Sequence, residues 1–210
     1  MRRLAALLAA LALVVAGCSG ASHSSTPSDL TDQGGGGKYE GFGLTPAQPR
    51  PSFTLTDTSG KRYAFGTRTA GHPTLLFFGY TRCPDVCPTT MADAATALRK
   101  VPAAVASRTD VVFVSTDVKH DTGPVIAKWL SYFSGGSKAT FVGLHGTQAQ
   151  INAAQAAAHV TLAEDGGQTH SAQLLLYGPD DYARVSFLQS SREQQQIEHD
   201  LPVVASGSSS

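Results

Sequence analysis

Apolar residues are spread unevenly along the chain. Leu4 to Ala16 is an unbroken apolar run, Ser19 to about Lys38 has almost none, and from about Tyr39 they recur in short, regularly spaced clusters. Phe53-Thr54-Leu55-Thr56 alternates as a half-buried strand does. Asp57-Thr58-Ser59-Gly60 reads as a turn, and Lys61 to Phe65 as the returning partner strand. Thr74 to Gly79 is continuously apolar, which suits a strand covered on both faces, and Val111 to Ser115 reads the same way. Pro88 to Lys100 places Met91, Ala94, Ala95 and Leu98 at helical spacing, with Pro88 in a first turn that tolerates it. Val125, Ile126, Trp129, Leu130 and Phe133 form a second helical stripe. A short strand is expected at Thr140 to Val142, then an Ala-rich helix capped by Thr147 and running to about Ala158. Ala172 to Tyr177 and Ala183 to Phe187 flank Gly178-Pro179-Asp180-Asp181 as a hairpin, and Arg192 to Leu201 reads as a last helix. Alternating strands and helices predict an α/β domain, a central mixed sheet flanked by helices with a β-hairpin extension at its N-terminal side.

Composition then assigns the two flanking regions. The chain has 210 residues, 41% of them hydrophobic, enough for one domain with a full core plus appendages. Sixteen basic and sixteen acidic residues cancel, and no basic stripe argues for nucleic acid. Arg2 and Arg3, the apolar run and Val15-Ala16-Gly17 read as a secretory signal. The run is short for a membrane span, which needs ~20 apolar residues. Cys18 directly after the small residues resembles a bacterial lipobox, whose cysteine is lipidated. Residues 1–17 are thus expected to be a lipoprotein signal peptide, 18–38 a Gly- and Ser-rich tether, and 39–205 the folded domain. The protein would sit on the extracytoplasmic face of the cell membrane, held there by lipid.

Lipidation of Cys18 leaves Cys83 and Cys87 as the remaining thiols. A disulfide between residues this close closes a tiny loop and contributes little stability, which favours a functional pair. The pair follows a buried strand and opens a helix, the place where α/β sheets put their sites. A helix N-terminus stabilises a thiolate, and Arg82 is expected to help, so at least one thiol should ionise easily. Cysteines at i and i+4 can share one helix face and either form a disulfide or clamp a metal ion. Paired thiolates are soft donors that favour Cu(I), with zinc as a competitor. A third ligand must then come from elsewhere. His170, in a Gly-rich approach to a strand, is the leading candidate, against the alternative of a structural histidine at a strand edge.

Several pieces together resemble the Sco/SenC family over about Tyr39 to Ser190. They are Pro51-Ser52-Phe53-Thr54-Leu55-Thr56-Asp57, Phe77 through Pro88 (Phe-Phe-Gly-Tyr-Thr-Arg-Cys-Pro-Asp-Val-Cys-Pro), Val114-Ser115-Thr116-Asp117 with Asp121-Thr122, Phe141-Val142-Gly143-Leu144, and His170-Ser171-Ala172. The resemblance implies a thioredoxin-like fold and one copper ion bound by Cys83, Cys87 and His170. It implies copper delivery to the CuA centre in the copper-bearing subunit of cytochrome c oxidase, with an extracytoplasmic thiol reductant as a further partner. The runner-up is a thiol–disulfide oxidoreductase that cycles Cys83 and Cys87 to keep oxidase cysteines reduced. A peroxiredoxin-type peroxidase ranks lower, because its motif lacks the close second cysteine. The chain departs from the family in two places. Thr169 stands where relatives commonly carry an acid, leaving Glu164 or Asp165 as candidate supporting groups. His145 stands in Gly143-Leu144-His145-Gly146, where a plain loop role outweighs one as an extra ligand. Asp117 and Asp121 are read as loop structure, and His72, His120, His159 and His199 as solvated or locally bonded.

Overall fold

The computed structural model describes residues 37–168 and 171–207. In chain order these form β1 (Phe42–Pro49), β2 (Thr54–Asp57), β3 (Arg62–Ala64), α1 (Phe65–Arg68), β4 (Thr74–Gly79), α2 (Val86–Lys100), α3 (Ala103–Ala106), β5 (Asp110–Ser115) and α4 (Gly123–Ser134). There follow β6 (Thr140–His145), α5 (Gln148–Ala157), a 3-10 turn at Asp165–Gly167, β7 (Gln173–Tyr177), β8 (Tyr182–Leu188) and α6 (Glu193–Ala205). The signal peptide, Cys18 and nearly all of the tether lie outside the described residues, as do Thr169 and His170.

One sheet runs in the order β1-β8-β7-β4-β5-β6-β2-β3. β4, β5 and β6 are parallel, and every other pairing is antiparallel. The sheet is therefore mixed with a parallel centre, as the alternation predicts. The two-residue period of a strand explains why the inner positions of β4 and β5, Leu75 to Phe78 and Val111 to Val114, are all apolar. Leu75, Phe77, Val111 and Phe113 face one layer, where they meet Met91 and Leu98 of α2, Ile126 of α4 and Ile197 of α6. Leu76, Phe78, Val112 and Val114 face the other, with Leu55, Phe65, and Ile151 of α5. Both faces are covered, so both parities must be apolar.

Three sequence expectations need correction. The N-terminal hairpin is right in place, but its return strand stops at Ala64, and Phe65 instead opens the one-turn α1, burying its ring completely. β1 has no counterpart in the sequence reading: its stretch carries Pro46 and Pro49 and no alternation. It survives as an edge strand on β8 with a register shift between Gly43 and Gln48, the setting that tolerates proline. The strand expected at Thr140 to Val142 runs on to His145, because β2 pairs with its last residues. His145 is accordingly the end of a strand rather than a loop residue. The Thr147 cap is present as a full capping box with Gln150.

Candidate metal centre

β4 ends at Gly79, and the chain turns through Tyr80–Asp85 before α2 begins at Val86. Cys87 lies in the first turn of α2 and is fully buried, whereas Cys83 lies before the helix and is partly exposed. The two cysteines therefore do not share a helix face, as their spacing suggested. Pro84, Asp85 in a non-helical conformation (φ −144°, ψ −72°) and the late helix start keep Cys83 out of the helix. They meet by a fold of the chain instead. The Cys83 backbone N–H donates to Tyr80 O at 3.3 Å, and the Cys87 N–H donates to Cys83 Sγ at 3.4 Å. The cysteine spacing thus spans a turn plus the first helical N–H groups.

This arrangement divides the two thiols. Burial pushes Cys83 up, but hydrogen bonds to its sulfur from the Cys87 and Asp85 N–H groups, the Cys87 side chain and Tyr80 outweigh it. The Cys83 thiol ends below its ordinary value. Burial pushes Cys87 strongly up, and the neighbouring Cys83 adds to that. One easily ionised thiol is what the sequence predicts, but the cause assigned to Arg82 is wrong. Its guanidinium points to Asp117 Oδ2 at 2.8 Å. Tyr80 is the residue the sequence reading missed: its side chain bonds the Cys83 sulfur and its backbone N–H the Cys87 sulfur. Gly79 also matters, since a Cβ there would lie 2.7 Å from Cys87 Sγ.

The acids behind the loop have the structural role expected of them. Asp121 is 3% exposed and accepts from Thr81 N (2.9 Å), Thr81 Oγ1 (2.6 Å) and Ser115 Oγ (2.6 Å), which ties the cysteine loop to β5. Asp117 accepts from Arg82 and lies 2.9 Å from His120 Nδ1. Burial raises its carboxyl, but the bonds from Arg82 and His120 prevail and hold it below the usual range. His199 pairs with its neighbour Asp200, and His72 pairs with Asp110, 38 residues on.

Cys83 opens onto a cleft of about 370 Å³. Tyr80 and Pro84 line it, and so do Gln168 and Ala172, which lie two positions either side of 170 in sequence. Among the described residues no three His, Cys, Asp or Glu side chains converge as a metal site would require. A complete set built on Cys83 and Cys87 therefore needs a donor from beyond them. A soft sulfur that lines an open cleft, hydrogen-bonded to a second, buried one, fits a thiophilic ion such as Cu(I).

The SCO1/SenC family profile matches residues 44–205. The chain belongs to the SCO1/SenC family. Among Sco/SenC relatives, protein SenC of Rhodobacter capsulatus is 34% identical over 115 residues, 55% of this chain and 49% of that protein. The Bradyrhizobium japonicum ScoI structure with copper bound is 31% identical, with a TM-score of 0.61 over 74% of this chain and 99% of that one. The solution structure of apo Sco1 from Thermus thermophilus is 26% identical, with a TM-score of 0.65 over 79% and 96%. The match spans about half to two thirds of the length of the curated relatives. The thioredoxin-like α/β fold expected from the sequence is the fold found.

Proposed function

We propose that the protein is an extracytoplasmic copper metallochaperone that binds one copper ion through Cys83, Cys87 and His170. Its acceptor on this reading is the copper-bearing subunit of cytochrome c oxidase, at the CuA centre. The observation that carries the proposal is the cleft. Cys83 lines it, and so do Gln168 and Ala172, two residues before and two residues after position 170 in sequence. Copper is cargo here, and the thiols suit its uptake and release. Cys83, whose hydrogen bonds hold it below its ordinary value, is the thiol that gives up its proton first. Cys87 keeps its proton in the buried state, so it becomes a ligand as a cation arrives to replace that proton. Imidazole from His170 adds a donor that accommodates Cu(II) as well as Cu(I). The copper-bound ScoI relative is in accord with this reading. A signal peptide at 1–17, lipid on Cys18 and a tether over 18–38 would place the domain beside a membrane-bound acceptor. No described helix is long and apolar enough to cross a membrane.

The difference between the two thiols also favours a second reading, a thiol–disulfide oxidoreductase. Cys83 would attack a partner disulfide, and Cys87 would then displace the partner as a thiol, leaving Cys83–Cys87 oxidised for an external thiol reductant to restore. Anaerobic Cu(I) titration separates the two. The metallochaperone reading predicts about one tight ion per chain, weakened in Cys83→Ser and His170→Ala. Unchanged binding in His170→Ala, with disulfide reductase turnover that needs both cysteines, would favour the oxidoreductase.

A further inference from the structure

Thr116, the first residue beyond β5, is fully buried and belongs to neither the cysteine pair nor the acid cluster. Its backbone N–H donates to Gly79 O at 2.7 Å, extending the β4–β5 ladder past the end of β5. Its hydroxyl lies 2.6 Å from Gly167 O and 3.1 Å from Gly79 O. A hydroxyl has one proton to give, and Gly79 O already accepts from the Thr116 N–H, so the shorter contact to Gly167 O takes it. Gly167 is itself pressed against this strand end. Its φ is +96°, and a Cβ there would lie 2.0 Å from Thr116 O, so only glycine permits the approach. The turn is closed by the Gly167 N–H donating to Glu164 O at 2.8 Å. Gln168, the next residue, lines the Cys83 cleft.

Thr116 thus joins two segments: its backbone N–H bonds the strand that leads into the cysteine loop, and its hydroxyl bonds the segment that precedes position 170. We propose that Thr116 is a positioning residue for the copper site: its hydroxyl, anchored on Gly167 O, holds Gly167 and Gln168, the residues that precede position 170, at the cleft of Cys83. The proposal rests on Cys83, Cys87 and His170 being the copper ligands. Loosening this anchor removes preorganisation from the imidazole donor and leaves the two thiolates in place. Cu(II), which depends more on the imidazole, is therefore affected before Cu(I).

The test uses the full chain with wild type, Thr116→Val, Thr116→Ser, His170→Ala and the Thr116→Val/His170→Ala pair. Cu(II) and Cu(I) affinities are measured by competition with chelators, and backbone hydrogen exchange at Gly166 to Gln168 is followed in metal-free protein. Thr116→Val keeps the shape and removes the hydroxyl. It is expected to lower Cu(II) affinity about tenfold, the scale of one lost buried hydrogen bond, with Cu(I) affinity within about twofold. Exchange at Gly167 and Gln168 is expected to accelerate, Thr116→Ser to restore both readouts, and the Cu(II) effect to vanish in the His170→Ala background. Should Thr116→Val not fold, Thr116→Ala carries the same expectations. Equal loss of Cu(I) and Cu(II), or the same Cu(II) loss without His170, would show a merely structural threonine and overturn the proposal. Weakened Cu(II) binding in His170→Ala with none in Thr116→Val overturns the positioning role alone. Unchanged binding in His170→Ala overturns the ligand reading and the positioning role with it.

Discussion

Glu193 opens α6 with its side chain fully buried against α2, the helix that carries Cys87. Its Oε2 lies 3.3 Å from the Thr90 hydroxyl, one turn beyond Cys87, and its Oε1 meets no hydrogen-bond partner among the described residues. Burial and the nearby Asp93 carboxylate raise its pKa from 4.5 to about 7, with the Thr90 bond opposing them weakly. The acid is therefore kept protonated by the fold across the interval in which the unfolded chain releases its proton. Stability from this group is complete below pH 4.5, falls as pH rises, and is lost once pH passes about 7. At about 1.4 kcal/mol per pH unit, the whole interval is worth about 3 kcal/mol. Glu193→Gln keeps the shape and fixes the neutral state. Urea unfolding of both proteins at pH 5, 6, 7 and 8 (values on the order of one unit apart across the window) reads the difference directly. The variant should match the wild type within about 1 kcal/mol at pH 5 and exceed it by about 2–3 kcal/mol at pH 8. His199, whose pKa is raised by its bond to Asp200, changes stability in the same direction but equally in both proteins, so it cancels. Parallel stability curves for the two proteins would refute the reasoning.

Other expectations concern the site itself. Cys83 should be alkylated by iodoacetamide in the native state at least about tenfold faster than Cys87, as peptide mass mapping would show, because Cys83 is partly exposed with a lowered pKa and Cys87 is buried with a raised one. Gly79→Ala puts a Cβ 2.7 Å from Cys87 Sγ and 2.9 Å from the Phe77 ring. It should cost about 1–3 kcal/mol in urea unfolding and weaken copper binding by displacing the Cys87 sulfur. Asp121→Asn replaces one of two acceptor oxygens with a donor facing the Thr81 or Ser115 hydroxyl, and should cost about 1–3 kcal/mol and speed amide exchange at Thr81.

How much was legible in the sequence follows from which signals are local. Leu75 to Phe78 of β4 and Val111 to Val114 of β5 are apolar without a break because each strand is covered on both faces, and a continuous run states that directly. The Thr147 capping box is written in four consecutive residues. β1 was invisible because an edge strand is held by its partner's hydrogen bonds, and Pro46 and Pro49 mask it. The cysteine pair could be found by its spacing, but its geometry could not. A helical wheel places Cys83 and Cys87 on one face, whereas the Pro84-Asp85 turn delays the helix and leaves one thiol outside it. Arg82 was assigned to the thiols from adjacency in sequence, and a buried carboxylate 35 residues away claims it instead. Tyr80 acts through the fold of the cysteine loop on itself and Thr116 through a contact 51 residues away in sequence, neither of which a helix or strand period records.

The most direct test of copper delivery is transfer. Wild-type protein loaded with one Cu(I) is mixed anaerobically with the reduced, metal-free soluble domain of the oxidase copper-bearing subunit, and copper on each partner is counted after separation. The account predicts that copper moves to the acceptor, and that Cys83→Ser and Cys87→Ser, which hold it poorly, deliver little. Copper that stays on the chain while the same protein reduces the acceptor's oxidised cysteines would contradict it.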